Sequence, residues 1–466
     1  MSNQRVFSYY RFQQRMSRPL SARIALLSLG CAEVSLAFSS QAMATTGFVR
    51  LESDGFLKRS DDRSNSTQTI VLGPEFSGQN RFVEGNADLQ AIGYVTNKST
   101  FTAESKNAYL ATSTQLMPRH QLTLGRRQYD WSVVDDQWKM GLWSPRFLWD
   151  PLRPEQIGLT GAFYTYQSQS WRVLAYASPL SIPERGFPTQ QQDGRITSAS
   201  PFYIEPFQKL QITENRSLPV HYDLQYPAMS ELLLNPGGAM QVRYGEKQGG
   251  WIQANYGILP ILQPNLSIEP SIVLQSNEVE VTVHPRILYH HVMTGETGFK
   301  NRDFSLWSSV TGETPLQKQI PSSWVTIPIG PTLIVSAGAE ANFRGGFKLN
   351  GSLFYLNETT PAQTDAAVDT SSLQGRFEYK KAARLGAEWS GMTHLTYSTA
   401  WIADLEEKSN LMSFDLNFRP KLDASLVSGA WLINVGTDFF TSSTGTGHLG
   451  KYQGNDRVRG GVSYVF

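Results

Sequence analysis

The feature that most constrains this 466-residue chain is a period-two alternation of apolar and polar residues. It holds for about nine to fourteen residues at a time and recurs along the sequence, the span that a membrane-crossing strand needs. In 376–389, Phe377, Tyr379, Ala383, Leu385, Ala387 and Trp389 alternate with Arg376, Glu378, Lys380, Ala382, Arg384, Gly386 and Glu388. Lys381 is the one charge on the apolar side. In 411–419, Met412, Phe414, Leu416 and Phe418 alternate with Ser413, Asp415, Asn417 and Arg419. In 278–291, Val279, Val281, Val283, Ile287 and Tyr289 alternate with Glu280, Thr282, His284, Arg286 and His290. In 346–356, Phe347, Leu349, Leu353 and Tyr355 alternate with Lys348, Asn350 and Ser352. Successive side chains of a strand point to opposite faces, so each segment is a strand with one apolar and one polar face.

Two solvents produce such strands. In a soluble sandwich the apolar face meets a second sheet; in a membrane barrel it meets lipid and the polar face meets a lumen. Length separates the two, because sandwich strands average about 5–6 residues and spanning strands about 9–11. Aromatic residues at the strand ends (Tyr289, Phe343, Tyr355, Trp389, Trp401) fit the girdles of a barrel. The connections alternate between short ones (167–170, 245–250, 276–278, 344–346, 390–392, 420–422) and long ones (128–156, 179–237, 292–330, 358–373, 437–456). The expected fold is an all-β, transmembrane, antiparallel up-and-down barrel. Sixteen strands begin near Ala87, and two weaker ones near 47–55 and 67–72 make eighteen, with sixteen as the alternative.

The N-terminus reads as a cleaved secretory signal over 1–44, with the barrel over 45–466. Arg5, Arg11, Arg15, Arg18 and Arg23 precede an apolar run from Ile24 to Phe38, and Ala42 and Ala44 provide the small residues of a cleavage site. The one cysteine, Cys31, lies within this segment, so disulfides are excluded from the mature chain. A lipoprotein site is disfavoured because Ser28 stands where Leu is wanted. Removing five arginines and one glutamate from a chain of formal charge +1 leaves −3, which argues against nucleic acid as a partner.

The final strand, "RVRGGVSYVF", alternates up to Phe466, with Tyr464 two residues before it. Together with the signal and the repeated hairpins, this resembles Gram-negative outer-membrane β-barrel proteins of the porin type. The resemblance implies that Tyr464 and Phe466 are read by the barrel assembly machinery. It also implies residence in outer-membrane lipid, and a lumen passing a small hydrophilic solute. Porins commonly carry a Gly-Arg strand before a third loop folded into the channel. Gly125 and Arg127 match that pattern, with Arg126 expected on the lipid side.

The candidate lumen residues are Arg127, Arg243, Arg286, Lys348, Arg376, Glu378, Lys380, Arg384, Glu388, Asp415 and Arg419, with Arg457 and Arg459 on the last strand and Asp88, Glu269, Glu280 and Glu340 among the acids. Rings of charge act as selectivity filters, although mutually paired charges around water are the plainer reading. The loop 128–156 carries Trp131, Trp138, Trp143 and Trp149, either as packing or as a stacking surface for a ring-bearing solute. The loop 179–237, rich in Pro and Gly, is a second candidate constriction. No G-x-S-x-G or H-E-x-x-H occurs, and no enzyme, cofactor or metal is implied. The expected function is a channel; the alternative is a loop-sealed barrel with a structural or adhesive role. Solute and oligomeric state are not specified by these patterns.

Overall fold

The computed structural model describes residues 43–466 apart from 58–64, 96–100, 214–215, 247, 274, 276, 317–318, 327–328, 360–375, 421–428 and 446. Eighteen antiparallel strands form one closed sheet. The first half comprises β1 (Met43–Phe56), β2 (Ser66–Gln79), β3 (Val83–Tyr94), β4 (Phe101–Thr112), β5 (His120–Arg127), β6 (Leu159–Gln167), β7 (Trp171–Ser178), β8 (Gly237–Gly245) and β9 (Gly249–Pro260). The second comprises β10 (Tyr289–Lys300), β11 (Phe304–Leu316), β12 (Thr332–Phe343), β13 (Phe347–Glu358), β14 (Lys381–Met392), β15 (Leu395–Asp404), β16 (Ser409–Phe418), β17 (Ala430–Ser442) and β18 (Arg457–Val465). Each strand pairs with the next in sequence, and β18 pairs with β1, where Val462 faces Leu51. The Gly47 amide donates to the Phe466 carbonyl at 3.0 Å, and the Phe466 amide to the Gly47 carbonyl at 2.9 Å. Of the expected signal segment only Met43 and Ala44 fall within the described residues, where they pair with Gly78 and Ser77 in β1.

The alternation sorts the two faces. On β13 and β14, Leu349, Leu353, Tyr355 and Leu385 are exposed on the outside, while Phe354 and Ala382 are buried inside. Chain ends and most of the short connections share one end of the barrel, and the longest connections occupy the other, with 405–408 as a short one among them and 419–429 as a longer one at the chain-end side.

Several boundaries differ from the sequence reading. The turn 276–278 does not join wall strands. Glu278–Arg286 and Asn265–Val273 belong to a separate five-stranded sheet with Lys209–Thr213, Arg216–Leu224 and Val325–Thr326. Arg286, Glu269 and Glu280 are therefore not lumen residues. Their strands alternate because Val279, Val281, Val283 and Ile268 lie beside Leu218, Val220 and Tyr222 on one face of this sheet, on which Ile196 packs, so the apolar face is buried in protein rather than turned to lipid. Conversely, 292–330 is not one loop, since β10 and β11 occupy most of it. Their periodicity is weak because Gly295 and Thr297 face outward opposite inward Thr294 and Glu296. Likewise β17 continues to Ser442, so the following loop begins later than residue 437. Two gains and two losses leave the strand number at eighteen. The expected connections at 358–373 and 420–422 lie largely outside the described residues.

Facing has a measurable cost. Leu385→Arg places a cation against lipid and is expected to destabilise the barrel by about 2–4 kcal/mol if near the midplane. Lys348→Leu removes an inward, part-exposed pair with Glu340 (2.9 Å), and is expected to cost less than about 1 kcal/mol. Reversible unfolding in lipid vesicles compares them, and equal costs would contradict the assigned faces. Deleting Phe466 removes the last two hydrogen bonds of the β18–β1 seam and is expected to lower the yield of heat-modifiable barrel; an unchanged yield would show that the rest of the seam closes the barrel without them.

Candidate functional site

Gly125 has φ 118°, and a Cβ there would lie 2.3 Å from the Ala108 carbonyl oxygen. Glycine permits this left-handed step, and it breaks the alternation at the end of β5. Arg126 is consequently buried rather than lipid-facing; it pairs with Glu104 and donates from Nε to the Gly158 carbonyl at 3.0 Å. Arg127 donates to Gln121 (3.0 Å) and Thr123 (3.1 Å), and its guanidinium lies 4.3 Å from the Tyr109 ring centre. It braces the foot of the loop and lines neither main cavity.

The loop 128–158 folds into the barrel around a short helix, α1 (Val133–Trp138), capped by Ser132. The Asp135 carboxylate accepts from the amides of Leu142 (3.1 Å) and Trp143 (3.0 Å), which turns the chain back on itself. The wall holds the loop through polar groups. Ser132 and the Val133 amide donate to Glu296 at 2.7 and 2.9 Å. The Trp131 carbonyl accepts from Gln241, Gln253 and Asn255, and Trp143 Nε1 donates to Thr294 at 3.1 Å. Trp131 and Trp143 stack with centroids 5.6 Å apart and are fully buried. Trp138 packs on Phe354 and Tyr379. Inward-facing Phe163, Leu174, Val292 and Ile334 complete this apolar cluster. The lumen is thus apolar on one side, where the sequence reading put a polar lining throughout. Two of the four tryptophans border open space: Trp138, and Trp149, which stacks on Tyr94 at 4.6 Å.

Arg146 ties four connections together. It donates to Glu184 (2.7 and 3.0 Å), to Glu378 (2.9 Å) and to the Lys139 carbonyl (2.8 Å), while His448 Nε2 lies 3.7 Å from Glu378. Burial disfavours its charge, but Glu184 and Glu378 outweigh burial and hold its pKa above the ordinary value. Gly141, at φ 73°, leaves the room this requires, since a Cβ there would meet Glu184 Oε1 at 2.0 Å.

Opposite the apolar side lies a charged network. Arg153 donates to Asp415 (3.2 Å) and Asp438 (2.7 Å). Arg457 donates to Asp438 (2.7 Å) and Asp150 (2.6 Å), and Arg459 to Asp415 (2.6 Å) and Asp438 (3.1 Å). Two cavities, of about 420 and 410 Å³, flank it, and Arg153, Asp415 and Ser398 line both.

The other expected lumen residues scatter around these features. Arg384 donates to the Gln137 carbonyl at 2.8 Å, and with Glu388 lines the smaller cavity. Arg243 faces inward over Trp251, 4.3 Å from the ring centre. Arg376 pairs with Glu313, which also contacts the buried His290. Lys380 is exposed just before β14, and Arg419 is exposed just after β16. Sequence reasoning missed Arg146, Arg153, Asp150, Glu184 and Asp438. Three of these stand in the Trp-rich loop itself, as "PRFLWDPLRPE", an unusual density of charge among tryptophans.

Solved structures similar to this chain include OccAB3 of Acinetobacter baumannii, 11% identical over 91% of this chain and 99% of that one, with a TM-score of 0.47. A BenF-like porin from Pseudomonas fluorescens Pf-5 is 8% identical over 92% and 98%, with a TM-score of 0.46. A mutant Rh. blastica porin is 10% identical over 91% and 100%, with a TM-score of 0.38. No family model matches the chain, and no curated protein does.

Two expectations follow from the docked loop. Arg146→Ala leaves Glu184 buried without its counter-charge, a loss of about 3–5 kcal/mol in loop anchoring; protease cleavage within 128–158 is expected to accelerate while the barrel stays heat-modifiable. Burial, reinforced by Asp135 and Asp130, raises the Asp136 carboxyl from 3.8 to about 7. The docked loop therefore holds a proton that the unfolded chain releases. Stability falls as pH rises through the interval from 3.8 to about 7 and is greatest below it. Asp136→Asn is expected to flatten that slope in the unfolding temperature; an unaltered slope would exclude Asp136 as its source.

Proposed function

We propose that this protein is an outer-membrane channel that passes small hydrophilic solutes through its divided, charge-lined lumen. The observation that carries the reading is the contact between the two cavities. It consists of the Arg153–Asp415 pair, with side chains 35% and 27% exposed. A part-hydrated pair of this kind is worth about 0–1 kcal/mol, so this one contact parts at little cost while Arg153 stays on Asp438 and Asp415 on Arg459. By contrast, Asp438, buried among three arginines, is a fixed part of the wall. The apolar exterior and the closed hydrogen-bonding of the wall support residence in a bilayer. The aromatic packing that closes the other side of the lumen leaves this charged side as the route.

In a planar bilayer with KCl, the purified barrel is expected to show discrete conductance steps. Arg153→Ala should enlarge them, because the guanidinium spans the contact between cavities. Unchanged steps in the variant would move the constriction elsewhere. Absence of current in both proteins would replace the channel with the sealed surface barrel.

A further inference from the structure

The larger cavity is unequal in what it has left to offer a ligand. Its guanidiniums are committed. Arg457 and Arg459 each hold two carboxylates, Arg153 holds Asp415 and Asp438, and Arg50 holds Glu52 at 3.0 Å. The atoms left over include two carbonyl-type acceptors and one hydroxyl. Among the described residues, Asp54 meets a cation only at Arg457, 3.8 Å away. Among the described residues Gln90 Oε1 and Ser463 Oγ also have no hydrogen-bond partner, in residues 6% and 2% exposed. All three line the cavity. An anion entering here meets guanidiniums already paired with carboxylates, whereas a cation finds the Asp54 carboxylate and the Gln90 carbonyl oxygen with acceptor capacity to spare. Such a mismatch is costly when unfilled, because a buried polar atom without a partner loses its hydration without compensation.

The cavity also presents a ring surface. Trp149 lies over Tyr94 at 4.6 Å with an interplanar angle of 26°, and both rings face the same space as Asp54. Tyr94 and Asp54 are neighbours across the wall: Asp54 pairs with Thr67 and Tyr94 with Thr69 on the intervening β2. Gln90 and Ser463 lie further along, since Ser463 pairs with Arg50. Carboxylates thus sit beside aromatic rings at one end and free acceptors at the other. A cation beside an aromatic face gains about 0.5–2 kcal/mol beyond its ion pair.

We propose that this cavity binds a small organic cation with a flat ring, its ammonium at Asp54, its ring against Trp149, and further hydrogen-bond donors toward Ser463 and Gln90. The proposal rests on the channel reading for how the solute reaches the cavity, but not for the binding itself.

Tyramine and 3-(4-hydroxyphenyl)propionate are near-isosteric and differ in the sign of charge. Calorimetric titration of the folded full-length barrel in detergent at fixed ionic strength compares them. Tyramine is expected to bind at least about tenfold more tightly than the propionate, and Asp54→Asn and Trp149→Leu each to weaken it by about tenfold. Equal or tighter binding of the propionate overturns the proposal, as does unchanged tyramine affinity in folded Asp54→Asn. Should that variant fail to fold, the comparison of the two probes on the unaltered protein, together with Trp149→Leu, still decides. A barrel that conducts KCl but does not prefer tyramine loses this proposal alone. One that binds tyramine but carries no current loses the channel reading alone.

Discussion

The structure depends on one constraint: a backbone crossing lipid must satisfy every amide and carbonyl within the protein, because hydrocarbon offers none. A sheet meets it by having no edge. Here the last edge disappears where β18 pairs with β1 and Gly47 and Phe466 exchange hydrogen bonds. Closure fixes the rest. It forces the side chains of every strand into two classes, lipid-facing and lumen-facing, and it makes the enclosed volume too large for wall side chains alone to fill. The loop 128–158 enters that volume because leaving it empty would strand the inward Phe163, Leu174, Val292 and Ile334 against water.

The lumen therefore contains two kinds of chemistry with different stakes. On the apolar side, stacked tryptophans and amide side chains hold the loop against the wall. On the other, arginines and aspartates are packed densely enough that each guanidinium serves more than one carboxylate. Burial grades these pairs. Arg146–Glu184 and Arg457–Asp438 are nearly inaccessible and hold the architecture. Arg153–Asp415 retains water and holds little. The route proposed above runs where the weaker kind lies.

Much of the architecture was legible in the sequence, because facing is written residue by residue. Leu385 against Arg384, or Leu353 against Ser352, declares a wall strand without further context. The reading failed where alternation and membrane exposure part company. Val279, Val281 and Val283 alternate perfectly yet line a small separate core, while β10 and β11 cross the membrane with Gly295, Thr297 and Ser308 facing outward. The site was less legible. Arg384, Glu388 and Asp415 follow from strand periodicity. Arg146, Arg153 and Glu184 do not, because their positions depend on how irregular connections fold against one another. Arg126 was misplaced by one glycine, whose left-handed backbone resets the face count.

The second sheet carries a consequence for the order of events in assembly. Its strands come from three different connections, and Arg216–Leu224 runs parallel to Glu278–Arg286, a pairing that no hairpin can make. None of the three connections holds enough of the sheet to form it alone. Two of them can fold hairpins of their own, Lys209–Thr213 with Arg216–Leu224 and Asn265–Val273 with Glu278–Arg286, but the parallel seam between those hairpins is stitched only when the wall strands between them already stand in register. The sheet is accordingly a late structure, and its formation is a marker that the wall beneath it is complete.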